Sequence, residues 1–178
     1  MTAQTMVEQP TLSFGWIRAA DAGLRFRRMR DDDLPFLARL YASTRTEELA
    51  VTPWSEAEKA QFLDMQFRAQ HTHYQKYYPE ADWLVTMREG QDIGRLYLER
   101  WPSQHHIIDI AFLPQHRGRG LGGALMRDLL DEAAKAGKAV EIHVEKFNPA
   151  MRLYDRLGFA TEEDKGVYDL MRWRPAPA

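Results

Sequence analysis

The chain has 178 residues, 44% of them apolar and 28% charged, the balance of a soluble globular protein long enough to bury a core. Its 24 basic and 26 acidic residues leave a formal charge of -2, which argues against a general nucleic-acid or membrane-surface binder while allowing a local basic pocket. The absence of cysteine excludes disulfides, thiolate metal sites and a cysteine nucleophile. No apolar run approaches the ~20 residues of a membrane span and the N-terminus lacks a signal pattern, so a cytoplasmic protein is expected.

Residues 1–20 show no clear period and are expected to form a tail or a loosely attached strand, with a single domain over 21–178. "LRFRRM" (24–29) alternates apolar and basic residues, as a half-exposed strand does. In "DDDLPFLARLYA", Asp31 and Asp32 suit a helix start, Pro35 fits its first turn, and Leu34, Leu37 and Leu40 share a face. Ser55 and Glu58 make a capping box for a second helix that stops before Pro79. Phe62, Met65 or Gln66, Ala69 and His73 lie on adjoining turns and are its expected docking face.

Strands are expected at 82–89, 93–100 and 105–113, joined by turns short enough for antiparallel hairpins. "LGGALMRDLLDEAAKAG" then reads as an amphipathic helix with Leu121, Leu125, Leu129 and Ala133 as its stripe and Gly137 as its stop. "AVEIHVE" (139–145) is a strand, and Asn148 as N-cap with Pro149 after it opens a short helix. "FATEE" and "GVYDLMRW" are the last two strands. The predicted fold is mixed α/β (α+β): a central, mostly antiparallel twisted sheet with helices on both faces.

Residues 114–126, "PQHRGRGLGGALM", fit two phosphate-binding patterns. One is G-x-G-x-x-G, as Gly118, Gly120 and Gly123; the other is R-x-x-G-x-G, as Arg117, Gly120 and Gly122. Both exploit unpaired N–H groups at a helix start, with glycines letting phosphate approach the backbone. Glu141 and Glu145 stand where the first pattern wants a ribose-binding carboxylate. Against it, a dinucleotide fingerprint normally opens its domain, whereas three hairpin-like strands precede this one. The flanking Arg117 and Arg119 also suit a ligand with more phosphate charge than one pyrophosphate.

The second register belongs to a larger pattern. "RGRGLGGALM" after the strand "IIDIAFLP", followed by "HVEKFNPAMRLYDRLGF", resembles the GCN5-related N-acetyltransferase family. The resemblance covers about residues 24–173, with its specific part in residues 106–159. It implies acetyl-CoA as co-substrate, with the pyrophosphate on the amides of Arg117, Gly118, Arg119, Gly120, Leu121, Gly122 and Gly123. It also implies that Ile110, Ala111 and Phe112 splay from the strand at 140–144 and pair through their main chain with the pantetheine arm. Asn148 matches a cofactor contact as well as a plain N-cap. Tyr154 matches the tyrosine that protonates the departing thiolate, one residue closer to the asparagine than in many members.

The base that deprotonates the amine is less defined. His143 is the first candidate, with Asp109 and Glu145 behind it and a water chain or no dedicated base as the alternatives. Period two puts Glu141, His143 and Glu145 on one strand face, and puts His106 and Asp109 on opposite faces. His71 and His73 diverge on a helix and no carboxylate pattern completes His105 and His106, so no metal is expected. Trp54, Tyr74 and Tyr78 either shape an acceptor cleft or hold their helix on the sheet.

The resemblance implies an N-acetyltransferase that moves an acetyl group from acetyl-CoA to an amine by direct attack in a ternary complex. A small-molecule or peptide acceptor, no nucleic-acid or membrane partner and a homodimer all fit it. The other reading is a non-catalytic acyl-CoA-binding sensor or interaction module.

Overall fold

Period-two alternation, clearest in "LRFRR" and "AVEIHVE", builds one seven-stranded sheet. In the computed structural model, which describes residues 10–177, the strands are β1 (Leu24–Arg28), β2 (Asp82–Arg88), β3 (Gln91–Arg100), β4 (Gln104–Phe112), β5 (Ala139–Glu145), β6 (Ala160–Asp164) and β7 (Tyr168–Trp173). Their spatial order is β1-β2-β3-β4-β5-β7-β6. β4 and β5 run parallel and every other neighbouring pair is antiparallel.

The helices are α1 (Ile17–Asp21), α2 (Leu34–Ser43), α3 (Thr46–Ala50), α4 (Glu56–Tyr77), α5 (Leu121–Lys135) and α6 (Met151–Leu157). Two apolar clusters place them on opposite faces of the sheet. Leu125, Leu129 and Ala133 of α5 and Tyr154 of α6 join Leu96, Ile107, Val140 and Ile142 in one. Phe36, Leu37 and Leu40 of α2 and Phe67 of α4 join Val85 in the other. Leu37 and Leu40 are completely buried, and each contributes about 1.5–3 kcal/mol. No helix among the described residues is long and apolar enough to cross a membrane.

Residues 1–9 of the expected tail lie outside the described residues. The part from residue 10 onward is neither a tail nor loosely attached. Leu12 bridges Phe26 of β1, Trp16 stacks on Phe14 and packs edge-on against Phe26, and Ala19 is fully buried. Asp128 of α5 fastens the segment, accepting hydrogen bonds from the amides of Arg18 at 3.3 Å and Ala19 at 2.7 Å. These are first-turn donors of α1 with no carbonyl of their own helix to bond, so the carboxylate acts as a cap supplied from a distance.

The docking face of α4 also differs from expectation. Met65, Ala69 and His73 are exposed, and the stripe facing the sheet is Leu63, Phe67, Gln70, His71, Tyr74 and Tyr78. Four of those six side chains carry polar atoms, and the sheet beneath them is polar too: buried Arg95 of β3 donates to Gln70 and to Asp109 of β4, and Tyr74 donates to Asp109. A helix that docks on a polar network cannot be found by apolar periodicity alone.

Candidate active site

The site grows from an irregularity in β4. Leu98 of β3 faces Ile107, but its neighbour Tyr97 faces Asp109, so Ile108 is an extra residue, a β-bulge. The bulge moves Asp109 onto the same sheet face as His106, correcting the opposite-face expectation. Both now meet the end of α4: Tyr74 reaches Asp109 at 3.3 Å, and Tyr78, the residue that caps the helix C-terminus, stacks on His106. The bulge also ends a pairing. β4 and β5 are in register from Gln104 with Ala139 to Ile107 with Ile142, and no further. Beyond that point Ile110, Ala111 and Phe112 stand apart from His143, Val144 and Glu145, leaving main-chain groups of two strands facing an opening.

At the wide end of this opening sits the glycine loop. Pro114–His116 make one 3-10 turn, and α5 begins after Gly120. Gly118 and Gly120 have φ of +70° and +77°, and a Cβ at either would meet open space, so left-handed backbone rather than crowding demands glycine there. The first α5 amide with a helical partner is that of Ala124, bonded to the Gly120 carbonyl. The amides of Leu121, Gly122 and Gly123 precede it, and no side chain caps them. They are donors aimed out of a helix N-terminus, the setting that attracts an anion.

Arg117 is turned inward. Its guanidinium donates to the Phe112 carbonyl at 2.8 Å and to Ser43 Oγ of α2 at 3.0 Å, tying the loop to the end of β4. Burial holds its pKa below the ordinary arginine value. Arg119 is exposed and forms no ion pair among the described residues, which leaves its charge available at the loop.

Tyr154 of α6 is 4% exposed and packs edge-on against Phe159. Burial, reinforced by the Asp109 carboxylate, raises its phenol above the ordinary tyrosine value. Asn148 is exposed, and its Oδ1 accepts from the amide of Ala150 at 2.9 Å. The asparagine therefore caps a turn, and α6 proper starts at Met151, two residues later than its sequence suggests.

The three base candidates separate by environment. Glu145 is held by Arg45, at 2.7 Å, and Arg45 also lies over the Tyr41 ring. Asp109 is held by Arg95 at 2.6 Å, with Arg95 4% exposed. His143 forms no hydrogen bond or ion pair among the described residues and faces solvent where β4 and β5 part. Burial of its inner edge lowers its pKa from the ordinary histidine value. His106, Glu141 and His143 also come together, with one ligand atom from each within 4.8 Å of the others. No neighbour in the sequence supplies His106 with a carboxylate; it comes from the cross-strand partner, Glu141, a pairing visible only once β4 and β5 are known to be parallel.

A model of the acetyltransferase (GNAT) family matches residues 41–159, which include the opening, the loop and Tyr154. A mycothiol acetyltransferase of Corynebacterium glutamicum is 31% identical over 110 residues, 55% of this chain and 37% of that one. A streptothricin acetyltransferase of Streptomyces lavendulae is 40% identical over 62 residues, 34% of this chain and 33% of that one. The chain thus spans about a third of the length of these two relatives. The fold is that of the PaiA N-acetyltransferase of Thermoplasma acidophilum, solved in complex with coenzyme A, with a TM-score of 0.63 at 16% identity over 85% of this chain and 98% of that one. With the family model covering well over half of it, the chain belongs to the GNAT acetyltransferase family.

Proposed function

We propose that the protein transfers an acetyl group from acetyl-CoA to the amine of a small-molecule or peptide acceptor. One observation carries the reading: β4 and β5 stop pairing after Ile107 and Ile142, and β4 then runs on into the loop that leads to the uncapped N-terminus of α5. That opening supplies what an acyl-CoA needs, unpaired strand edges for the amide-bearing pantetheine arm and free amides for the pyrophosphate. The residues for the cofactor are the main chains of Ile110, Ala111 and Phe112 and of 117–123, with Arg119 adding charge and Asn148 at the far rim. The relatives named as acetyltransferases support the same chemistry.

The reaction is a direct attack. The amine nitrogen forms a bond to the thioester carbonyl carbon, and the tetrahedral intermediate collapses by breaking the carbon–sulfur bond. His143 accepts the proton released by the amine, since Glu145 and Asp109 are already engaged by Arg45 and Arg95. Tyr154 supplies a proton to the departing sulfur. Main-chain amides at the opening stabilise the oxyanion. The acceptor enters from the α4 side, where Asp109, Tyr74 and Tyr78 line the sheet.

The test is free-thiol release from acetyl-CoA in the presence of a panel of amines. Wild type is expected to release thiol in an amine-dependent manner. A protein that binds CoA by calorimetry yet turns over none of the panel, and whose cellular activity survives Tyr154→Phe, is a non-catalytic acyl-CoA binder instead.

A further inference from the structure

At the foot of the opening, on the sheet face covered by α4, the imidazole of His106 is held between two aromatic rings. Trp101 stacks on it at 4.7 Å and 6°, and Tyr78 lies on it at 5.5 Å and 23°. The side chain is 2% exposed, and its Nδ1 is buried without a well-formed hydrogen bond. That nitrogen stands 3.1 Å from Oε1 of Glu141. The other oxygen of Glu141 is saturated by Gln104 Nε2 at 2.9 Å and Arg172 Nη2 at 2.8 Å, which fixes the carboxylate and leaves Oε1 to point at the imidazole. His143, two residues along β5 on the same face, lies edge-on to His106 with ring centroids 5.6 Å apart.

We propose that His106, Glu141 and His143 form a binding site for a divalent transition metal of the zinc class. Ligand atoms of one tetrahedral zinc ion stand roughly 3.3 Å apart, given metal–ligand distances of about 2.0–2.2 Å. The His106–Glu141 pair is already at that spacing, and the set as a whole spans no more than 4.8 Å. The exposed His143 closes the remainder by turning its side chain. Two imidazoles and one carboxylate suit zinc, cobalt or nickel; calcium and magnesium require more oxygen ligands. Gln104 and Arg172 orient the carboxylate as outer-shell partners. The guanidinium of Arg172 tempers affinity, and its second partner, Glu162, offsets that charge. Three protein ligands leave the fourth position of a tetrahedral ion to water.

The site stands apart from the acetyltransferase reading and meets it at one residue. A metal ion on His143 takes the lone pair that would receive the amine proton, so metal binding and base catalysis exclude one another there.

Cobalt(II) is the probe, titrated into the chain freed of any purification histidines and followed by its visible absorption. Wild type is expected to take up one equivalent with the strong bands of a four-coordinate ion, and zinc to displace it. His143→Ala, at an exposed position that leaves the core intact, is expected to weaken cobalt binding at least about tenfold and to abolish the rise in Tm that zinc gives wild type. Absence of the bands in wild type, or bands and Tm rise that persist in His143→Ala, overturns the proposal. These readouts do not depend on acetyl transfer, so the two assignments stand or fall separately.

Discussion

Burial keeps the Tyr154 phenol protonated far above neutral pH, which makes it a dependable donor and a weak acid. In the proposed reaction the departing thiolate is desolvated beside this buried phenol, which raises the basicity of the sulfur and favours the transfer. Tyr154→Phe is therefore expected to lower kcat about 100-fold while calorimetry finds CoA affinity unchanged. His143→Ala should produce a loss of similar size in kcat and little change in the KM for acetyl-CoA, whereas Glu145→Gln, which removes only the partner of Arg45, should retain most of the rate.

A second residue-scale case concerns stability. Burial alone would raise the pKa of Asp33, but Arg27, donating twice at 2.8 Å, and the Arg30 amide hold it below the ordinary aspartate value. A depressed carboxyl stabilises the fold above its unfolded pKa, near 3.9, and that contribution is lost as pH falls through the folded value. Asp33→Asn is expected to cost up to about 3 kcal/mol at neutral pH, since Arg27 keeps only Asp92. Chemical denaturation across pH checks this, because the gap between variant and wild type should narrow below about pH 4.

Among the elements, β4 has the most depends on it. Gly94 of β3 lies against it so closely that a Cβ would come within 2.3 Å of the Ala111 carbonyl oxygen and 3.0 Å of Phe112 Cδ1. Gly94→Ala must push β4 away at Ala111 and Phe112, where the proposed pantetheine site lies. The expected cost is about 1–3 kcal/mol, a fall in Tm of several degrees by calorimetry, together with weaker CoA binding. Gly120→Val acts differently. Its side chain meets nothing, yet the left-handed backbone at that position excludes a β-branched residue, so the loop changes shape and CoA binding is lost with little change in Tm.

Strands and helices with a single clean period were legible in the sequence: β1, the hairpins β2–β3–β4, α5 with its leucine stripe, and β5. The helix at Asn148 was legible within a turn. What period could not reveal was anything set by a partner element. The bulge at Ile108 arises from pairing with β3, the polar face of α4 from Arg95 and Asp109 beneath it, and the anchoring of residues 12–19 from Asp128 more than a hundred residues away. The same limit applies at the site. The glycine loop is contiguous and announces itself; the triad of His106, Glu141 and His143 exists only through a parallel strand pair.

Taken as a whole, the molecule is a sheet whose two central strands are held together at one end and apart at the other. The pairing ends next to the extra residue in β4, α5 supplies amides at the wide end, and α6 buries Tyr154 against Phe159. The proposed donor chemistry requires that opening to accept an acyl-CoA. The most direct measurement is isothermal titration calorimetry of acetyl-CoA against wild type and Gly120→Val. Wild type is expected to show one site per chain and the variant no measurable binding, with both proteins folded by circular dichroism. Absence of binding to wild type, or equal binding to both, would contradict the proposal.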